Sequence, residues 1–394
     1  MKAIVFHGVG DIRLDDVPEP KIKDEYDAIV RITASAICGT DLHFVRGSFS
    51  DVEPGTILGH EGVGVIEELG KGVRNMNVGD RVVIPSTIAC GSCSYCRSGW
   101  YSKCDNANPN GPLAGTAFYG GPKATGPFDG LQAEYARVPY ANVGLVKLPS
   151  DVSDDQAILL SDIFTTGYFG ADMAGIKPGH TVAVFGCGPV GQFVIASAQM
   201  LGAGRVFAID NHKDRLRMAC AQGAEVIDFT ADDPVKVLRE LTGGSGPDSV
   251  VDAVGIDAVG IDAMSKRQSP HEGNWKPGDA PSQVLEWAVD AVAKGGHISI
   301  IGVYPPTATT FPIGKAMAKN ATIRSGDCPH RRYLFEAVSK VSRGDIDPQK
   351  ILTEREPISD AIEAYKAFDA RSPGWIKVEL LPTTDRGRVT TGVA

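Results

Sequence analysis

Two hydrophobic periods divide the chain. Over roughly the first 150 residues, apolar positions come in short runs broken by Gly and Pro. Ala3–Phe6, Asp27–Thr33, Val63–Leu69 and Arg81–Ile84 read as strands, with Pro18 and Pro20 as punctuation between the first two. Many short strands with Gly turns predict an all-β, barrel-like unit. After Lys147-Leu148-Pro149 the pattern changes. Asp151–Asp155 opens a helix, and from Thr181 onward strand and helix patterns alternate. Strands are predicted over Thr181–Phe185, Arg205–Ile209, Glu225–Asp228, Ser249–Asp252 and His297–Val303. Helices are predicted over Phe193–Leu201, Lys213–Gln222, Pro234–Thr242 and Val284–Ala293. This alternation predicts an α/β unit with a doubly wound parallel sheet. Ile301–Tyr304 is expected to end its sixth strand, and Arg324–His330 to cross back to the first unit. Arg331–Ser342 and Ser359–Phe368 read as helices there, with Trp375–Leu380 as a returning strand. Thr383–Ala394 is polar, without a core pattern, and is expected to fray. One domain is therefore expected over residues 1–163 and 328–394, and a second over 164–327.

The sharpest local signal is Val184–Asp210. An apolar strand runs straight into Gly186-Cys-Gly188-Pro189-Val190-Gly191, a helix follows, and a second strand ends in Asp210. In that context a G-x-G-x-x-G turn is a dinucleotide fingerprint. Gly186 permits the tight turn, Gly188 lets backbone approach a pyrophosphate, and Gly191 lets helix and strand pack closely. The helix N-terminus offers N–H groups to the phosphates. Asp210 is placed to accept from both adenosine ribose hydroxyls and would repel a 2′-phosphate. Asn211-His212 put no Arg beside it, which favours NAD over NADP, although Arg215 and Arg217 lie close.

Ile256–Pro281 breaks the alternation. It is rich in Gly, Pro and charge, and a tandem repeat, Ala253–Asp257 then Ala258–Asp262, leads into it. A loop of this length is either functional or a mobile surface segment.

Composition narrows the class. The chain of 394 residues is 43% hydrophobic and 22% charged, with a net charge of -9 and no long basic run. That excludes a general nucleic-acid surface. No apolar stretch reaches the length of a membrane span, and the N-terminal MKAIVFHG is too short for a signal peptide. A cytoplasmic location is the default expectation. Half of the eight cysteines fall in Cys90-x2-Cys93-x2-Cys96-x7-Cys104. In a reducing compartment this points to metal and not disulfides. Four thiolates on one tight loop make a closed, structural kind of zinc site, with residues 86–108 as its lobe. The ferredoxin cluster run has three residues and then a Pro at its last Cys, which this lobe lacks. Cys38 and His60 suit a catalytic zinc, which needs three protein ligands and one open position. Cys187, Cys220 and Cys328 have no metal partners in view and are expected to be packing residues.

Cys38-Gly-Thr40-Asp41-Leu-His43, Gly59-His60-Glu61-Gly62, the four-cysteine lobe, Gly186–Gly191 and Asp210 occur in one order over nearly the whole chain. Together they resemble the zinc-containing medium-chain alcohol dehydrogenase family. The resemblance implies a mostly β GroES-like catalytic domain joined to a Rossmann coenzyme domain. It also implies NAD and two zinc ions per chain, one catalytic and one structural. The family usually has Cys where this chain has Asp162. The similar glutathione-independent formaldehyde dehydrogenase branch has Asp. A carboxylate is an acceptable zinc ligand with the formal charge of a thiolate; the alternative is a helix N-cap. Carried over by position, Asp41 would hold the His60 ring. Glu61 would lie behind the metal or be a buried, paired acid. Thr40 would hydrogen-bond the substrate hydroxyl, and His43 would hand its proton towards solvent. Thr166 and Val303 would line the nicotinamide site. Arg215 would help hold the adenosine ribose or lie on a solvated helix face. Lys377 would meet the pyrophosphate or face water. In the formaldehyde dehydrogenase branch a similar insertion covers the adenine end of NAD, so 256–281 is expected to be a lid.

The expected activity is hydride transfer between an alcohol and NAD, giving the matching aldehyde or ketone. Alternatives are an aldehyde dismutase that never releases NAD, a polyol- or threonine-type dehydrogenase, and a non-catalytic NAD sensor. A small-molecule substrate and a homo-oligomer, dimer or tetramer, are expected, with no nucleic-acid or membrane partner. Phe49, Ser86, Phe128 and Val303 are candidate walls of the substrate pocket.

Overall fold

The computed structural model describes residues 1–49, 52–108, 110–111, 115–126, 128–258, 280–305 and 308–382. Among these residues there are two large sheets and a two-stranded hairpin, Lys2–Gly8 with Asp11–Asp16.

The first large sheet is mixed and gathers distant parts of the chain. Its spine is Ala28–Ile37. Gly62–Leu69 pairs antiparallel with one edge of it, and Arg81–Ile84 then Val146–Lys147 extend that side. Tyr135–Val138 also pairs with the spine. Val378–Leu381 pairs with its far end, Val378 opposite Ile37, and Glu354–Pro357 lies beyond. The register matters for chemistry. Ser35 lies opposite Gly62, and Val378 opposite Ile37. His60-Glu61, Cys38 and Lys377 therefore leave three adjacent strand ends at one corner.

The second sheet is parallel throughout. Its order is Glu225–Asp228, Arg205–Asp210, Thr181–Phe185, Ser249–Asp252, His297–Ile300, Thr322–Ser325. Alternate residues feed opposite cores. Ala183, Phe185, Phe207, Ile209 and Val250 face one helix layer, and Val182, Val184, Val206, Ala208 and Val251 face the other. Both faces are covered, so the strands read as continuous apolar runs. Gly186 ends one central strand and Ala253 follows its neighbour, at the point where the strand order reverses. Ligands bind in that crevice in doubly wound sheets.

Two helices join the halves. Asp154–Ser161 and Ile163–Met173 are broken at Asp162, whose φ is -137° and ψ -69°. Helix Ile163–Met173 packs on helix Pro189–Met200, with Phe164 and Phe193 ring centroids 5.3 Å apart. A side chain at Gly167 would strike Phe193 at 2.7 Å.

Some expectations shift. The strand begun at His297 stops at Ile300, because Gly302 and Val303 turn to pack against Gly255. The sixth strand is Thr322–Ser325, which overlaps the start of the segment read as a crossover, Arg324–His330. It is a sheet edge, largely exposed and polar, and gives no hydrophobic signal. The returning strand covers only Val378–Leu381, since Trp375 and Ile376 belong to the preceding turn. Cys187 and Cys328 are buried as expected, but Cys220 is exposed on helix Lys213–Ala221. Gly255–Asp257 forms one helical turn, and the rest of the expected lid, from 259 to 279, lies outside the described residues, as does 383–394.

Candidate active site

Cys38, His60, Glu61 and Asp162 are all buried, and each brings a donor atom within 4.8 Å of the others. Asp162 Oδ2 lies 3.5 Å from Cys38 Sγ and 3.3 Å from His60 Nε2. Donors bound at 2.0–2.3 Å around a tetrahedral centre are about 3.3–3.8 Å apart. The spacing therefore fits a zinc ion. The electrostatics fit it too. Burial pushes the Cys38 thiol up to about 11, and a cation is what the thiolate needs. Burial also resists ionisation of Asp162, but hydrogen bonds from His330 and His60 outweigh it and hold the carboxyl well below its usual range. Asp162 stands at the N-cap position of its helix yet makes no capping bond. Its side chain is committed to the cluster.

The surroundings of the cluster are polar and buried. Glu61 is a paired acid: both its oxygens lie 2.6 Å from Lys377 Nζ, which also donates to the Ile37 carbonyl at 3.0 Å. Lys377 is wholly buried, not facing water. Asp41 Oδ1 lies 3.2 Å from His60 Nδ1, and both atoms lack an aligned hydrogen bond. Asp41 Oδ2 accepts from the Cys38 amide at 2.9 Å and Gln132 Nε2 at 3.3 Å. Thr40 Oγ1 is 4.0 Å from Cys38 Sγ.

Two open spaces meet at this cluster. Cys38, Thr40, Val190, Ile301 and Val303 line both. One runs along the crevice past Gly186, Gly188, Pro189, Asp210, Arg215 and Arg371. Here the glycines explain themselves. Gly186 has φ +89°, and a Cβ on Gly191 would sit 1.8 Å from the Gly186 carbonyl. A Cβ on Gly188 would meet only Arg215, at 3.7 Å or more, so that glycine keeps clear a cradle above the helix N-terminus. Asp210 Oδ1 accepts from the Asn211 and His212 amides at 2.7 and 2.9 Å, and Oδ2 from Cys187 N at 2.8 Å. Arg215 Nη1 stands 4.0 Å from it. The crevice residues thus fit a dinucleotide.

The other space lies on the far side of the cluster. Phe44, Phe49 and Phe118 line it, with Ser86, Thr87, Thr166 and His330. Phe49, Ser86 and Val303 are there as expected. Phe128 is not; it packs under Arg137 in the core beside the cysteine lobe. Thr166 Oγ1 donates to Asp162 Oδ1 at 2.7 Å.

The structure adds residues that sequence reasoning missed. His330 Nε2 lies 2.7 Å from Asp162 Oδ1. Asp257 Oδ2 lies 2.9 Å from His43 Nδ1 and 2.7 Å from Arg46 Nη1, and its Oδ1 accepts from Ser48 at 2.8 Å. Arg46 Nε also donates to Asp369 at 2.7 Å. Asp257 follows strand Ser249–Asp252 of the parallel sheet and His43 follows strand Ala28–Ile37 of the mixed one, so this knot ties the two halves. Its only sequence signal was the acid that closes the first copy of the tandem repeat.

Cys90, Cys93, Cys96 and Cys104 form the second cluster. Amides of Cys93, Cys96, Ala107 and Cys90 point at its sulfurs from 3.2–3.5 Å. Such donors favour thiolates. Cys104 is held down at about 5, first by the hydrogen bond from Cys96 and then by the Cys90 and Ala107 amides.

A Rossmann crevice opening onto a buried Cys/His/carboxylate cluster, beside a four-cysteine lobe, defines a zinc-dependent dehydrogenase. Comparison with known proteins places it further. Residues 24–150 match the alcohol dehydrogenase GroES-like domain family, and 189–265 match the zinc-binding dehydrogenase family. The zinc-type alcohol dehydrogenase-like protein AdhB of Bacillus subtilis is 39% identical, over 97% of this chain and 100% of its own. Glutathione-independent formaldehyde dehydrogenase of Pseudomonas aeruginosa is 34% identical over 94% and 96%. The solved alcohol dehydrogenase TADH from Thermus sp. ATN1 superposes with a TM-score of 0.82 at 34% identity, covering 97% and 100%. The chain belongs to the zinc-containing medium-chain alcohol dehydrogenase family. It is a zinc-dependent oxidoreductase with a catalytic and a structural zinc site, and NAD is the coenzyme expected of its family.

Proposed function

We propose that this enzyme oxidises a primary or secondary alcohol to the matching aldehyde or ketone, and runs the reverse, with NAD. The observation that carries this reading is the convergence of Cys38, His60 and Asp162 where the dinucleotide crevice meets a second space walled by Phe44, Phe49 and Phe118. Cys38, His60 and Asp162 hold the catalytic zinc, and the four lobe cysteines hold the structural one. When bound, zinc lowers the pKa of a hydroxyl, and NAD accepts hydride. The chain's own residues handle position and the proton. Thr40 takes the proton of the substrate hydroxyl, and His43, oriented by Asp257, passes it outward. Asp41 steadies His60, and the Glu61–Lys377 pair lies neutralised beside the ligands. Gly186–Gly191, Asp210 and Arg215 hold the coenzyme, with Thr166 and Val303 at its reactive end.

The two sheets support the expected division into domains at about 163 and 328. An oligomer is supported by the outer edge of strand Thr322–Ser325, which pairs with no other strand among the described residues, and by the nearby exposed Ile313 (65%) and Met317 (79%). Light scattering of the purified protein checks this. Among the described residues, no helix is long and apolar enough to cross a membrane. A lobe of metal-binding thiolates suits a reducing compartment, the cytoplasm.

The test is turnover with NAD across alcohols and aldehydes of increasing size. NADH production from short primary or secondary alcohols is expected. No turnover on any of them, with zinc and NAD both bound, would favour a sensor instead. Equal alcohol and acid from aldehyde alone, without added NAD, would mark a dismutase.

A further inference from the structure

A thiolate offers a metal one atom; a carboxylate offers two. Asp162 therefore poses a problem that a cysteine would not. If both oxygens chelated the ion, they would occupy the position a substrate needs open. The structure shows what the second oxygen does. Oδ2 faces Cys38 and His60 at 3.5 and 3.3 Å. Oδ1 is taken by two other donors, Thr166 Oγ1 at 2.7 Å and His330 Nε2 at 2.7 Å. Thr166 lies one helical turn beyond Asp162. His330 comes from 168 residues away, at the start of helix His330–Ser342.

His330 is itself fixed. Its Nδ1 lies 3.1 Å from Thr87 Oγ1. Nε2 is engaged by the carboxylate and Nδ1 by the Thr87 hydroxyl, so both ring nitrogens are used and the ring cannot turn freely. The segment before it is tethered to the cysteine lobe. Ser102 Oγ donates to the Asp327 carbonyl at 2.8 Å, and Lys103 Nζ and Thr116 Oγ1 meet the Asp327 carboxylate at 2.5 and 2.6 Å. The lobe thus braces the residue that braces Asp162.

We propose that His330 and Thr166 are positioning residues that restrict Asp162 to a single donor oxygen and so keep one position of the catalytic metal open. This rests on the reading of Cys38, His60 and Asp162 as ligands, and the test separates the two. The holoenzyme is loaded with cobalt in place of zinc, and its visible spectrum is recorded. Subtracting the Cys38→Ser spectrum removes the four-cysteine site, which is common to both. Wild type is expected to show a thiolate-to-cobalt charge-transfer band and the strong visible bands of a four-coordinate ion. In His330→Ala the charge-transfer band persists while the visible bands lose intensity, because the freed oxygen raises the coordination number. His330→Gln, whose amide can still donate to Oδ1, restores them. Thr166→Val gives a partial loss. Unchanged visible bands in His330→Ala would overturn the proposal and leave the ligand reading intact. A wild-type difference spectrum without the charge-transfer band would overturn the ligand reading. If His330→Ala fails to fold, its near-ultraviolet circular dichroism is lost, and the milder Thr166→Val decides by the same criterion.

Discussion

The cysteine lobe and the Cys38–His60–Asp162 cluster each gather metal-binding side chains, by opposite routes. Two, two and seven residues separate the lobe's successive ligands, and backbone amides in the same loop aim at their sulfurs. The loop alone brings them together. The other cluster spans 124 residues from Cys38 to Asp162 and exists only because three strand ends and a helix break meet. The lobe has four like donors, and none of its cysteines lines either of the two spaces described above. The cluster has mixed donors, and two spaces open on it. A site built locally is suited to bracing; a site built by the fold can expose a metal to substrate and coenzyme together.

Breaking each site in turn tests that contrast. Cys38→Ser should lower kcat/KM by roughly a thousandfold or more, about 4 kcal/mol of transition-state stabilisation. Its NAD affinity, measured by fluorescence quenching, should stay near wild type. Cys96→Ser should do the reverse. Zinc content falls to about one per chain, and stability drops by roughly 4 kcal/mol, while activity per folded molecule at low temperature falls far less than in Cys38→Ser. Denaturant titration beside zinc analysis distinguishes these outcomes.

A subtler comparison concerns buried acids on and beside one strand. Glu61 has Lys377 on both oxygens. Glu379, two residues beyond Lys377, has no hydrogen bond among the described residues, with Arg355 Nε 3.3 Å away. Burial, reinforced by Asp155, pushes Glu379 from 4.5 up to about 8. The folded state then keeps a proton that the unfolded chain releases. Stability should fall as pH rises from about 4.5 to about 8, by a few kcal/mol. Glu379→Gln should flatten that part of the stability–pH curve; an unchanged slope would contradict the assignment.

The smallest effect expected is at the knot between the halves. Burial disfavours a charged Asp257, yet the hydrogen bond and charge of His43, with Arg46, hold its carboxyl far below the usual range. Asp257→Asn keeps the shape and removes the charge. It should cost about tenfold in kcat/KM, ~1.4 kcal/mol, with zinc content unchanged. Equal kcat/KM would mean that His43 needs no such partner.

What could be read in advance follows the same division. The centre of the parallel sheet was legible because its inner strands are buried on both faces and its glycines stand where backbone must pass, whereas the exposed edge strand Thr322–Ser325 was not. The lobe was legible because its spacing is its geometry. Cys38, His60 and Asp162 became legible only through their resemblance to a known pattern, since nothing local links them. His330 gave no signal. It lies in a segment that reads as a crossover, and only the packing of that segment on Ser102 and Lys103 brings its ring to Asp162. Asp257 was hidden in the same way, inside a segment that reads as an insertion.

The central claim is that Cys38, His60 and Asp162 enclose one zinc ion. Anomalous scattering at the zinc edge, from crystals of the holoenzyme, tests it most directly. Two peaks per chain are predicted, one among the four lobe cysteines and one bounded by Cys38 Sγ, His60 Nε2 and Asp162 Oδ2. A single peak at the lobe, with those three side chains bonded only to one another, would contradict it.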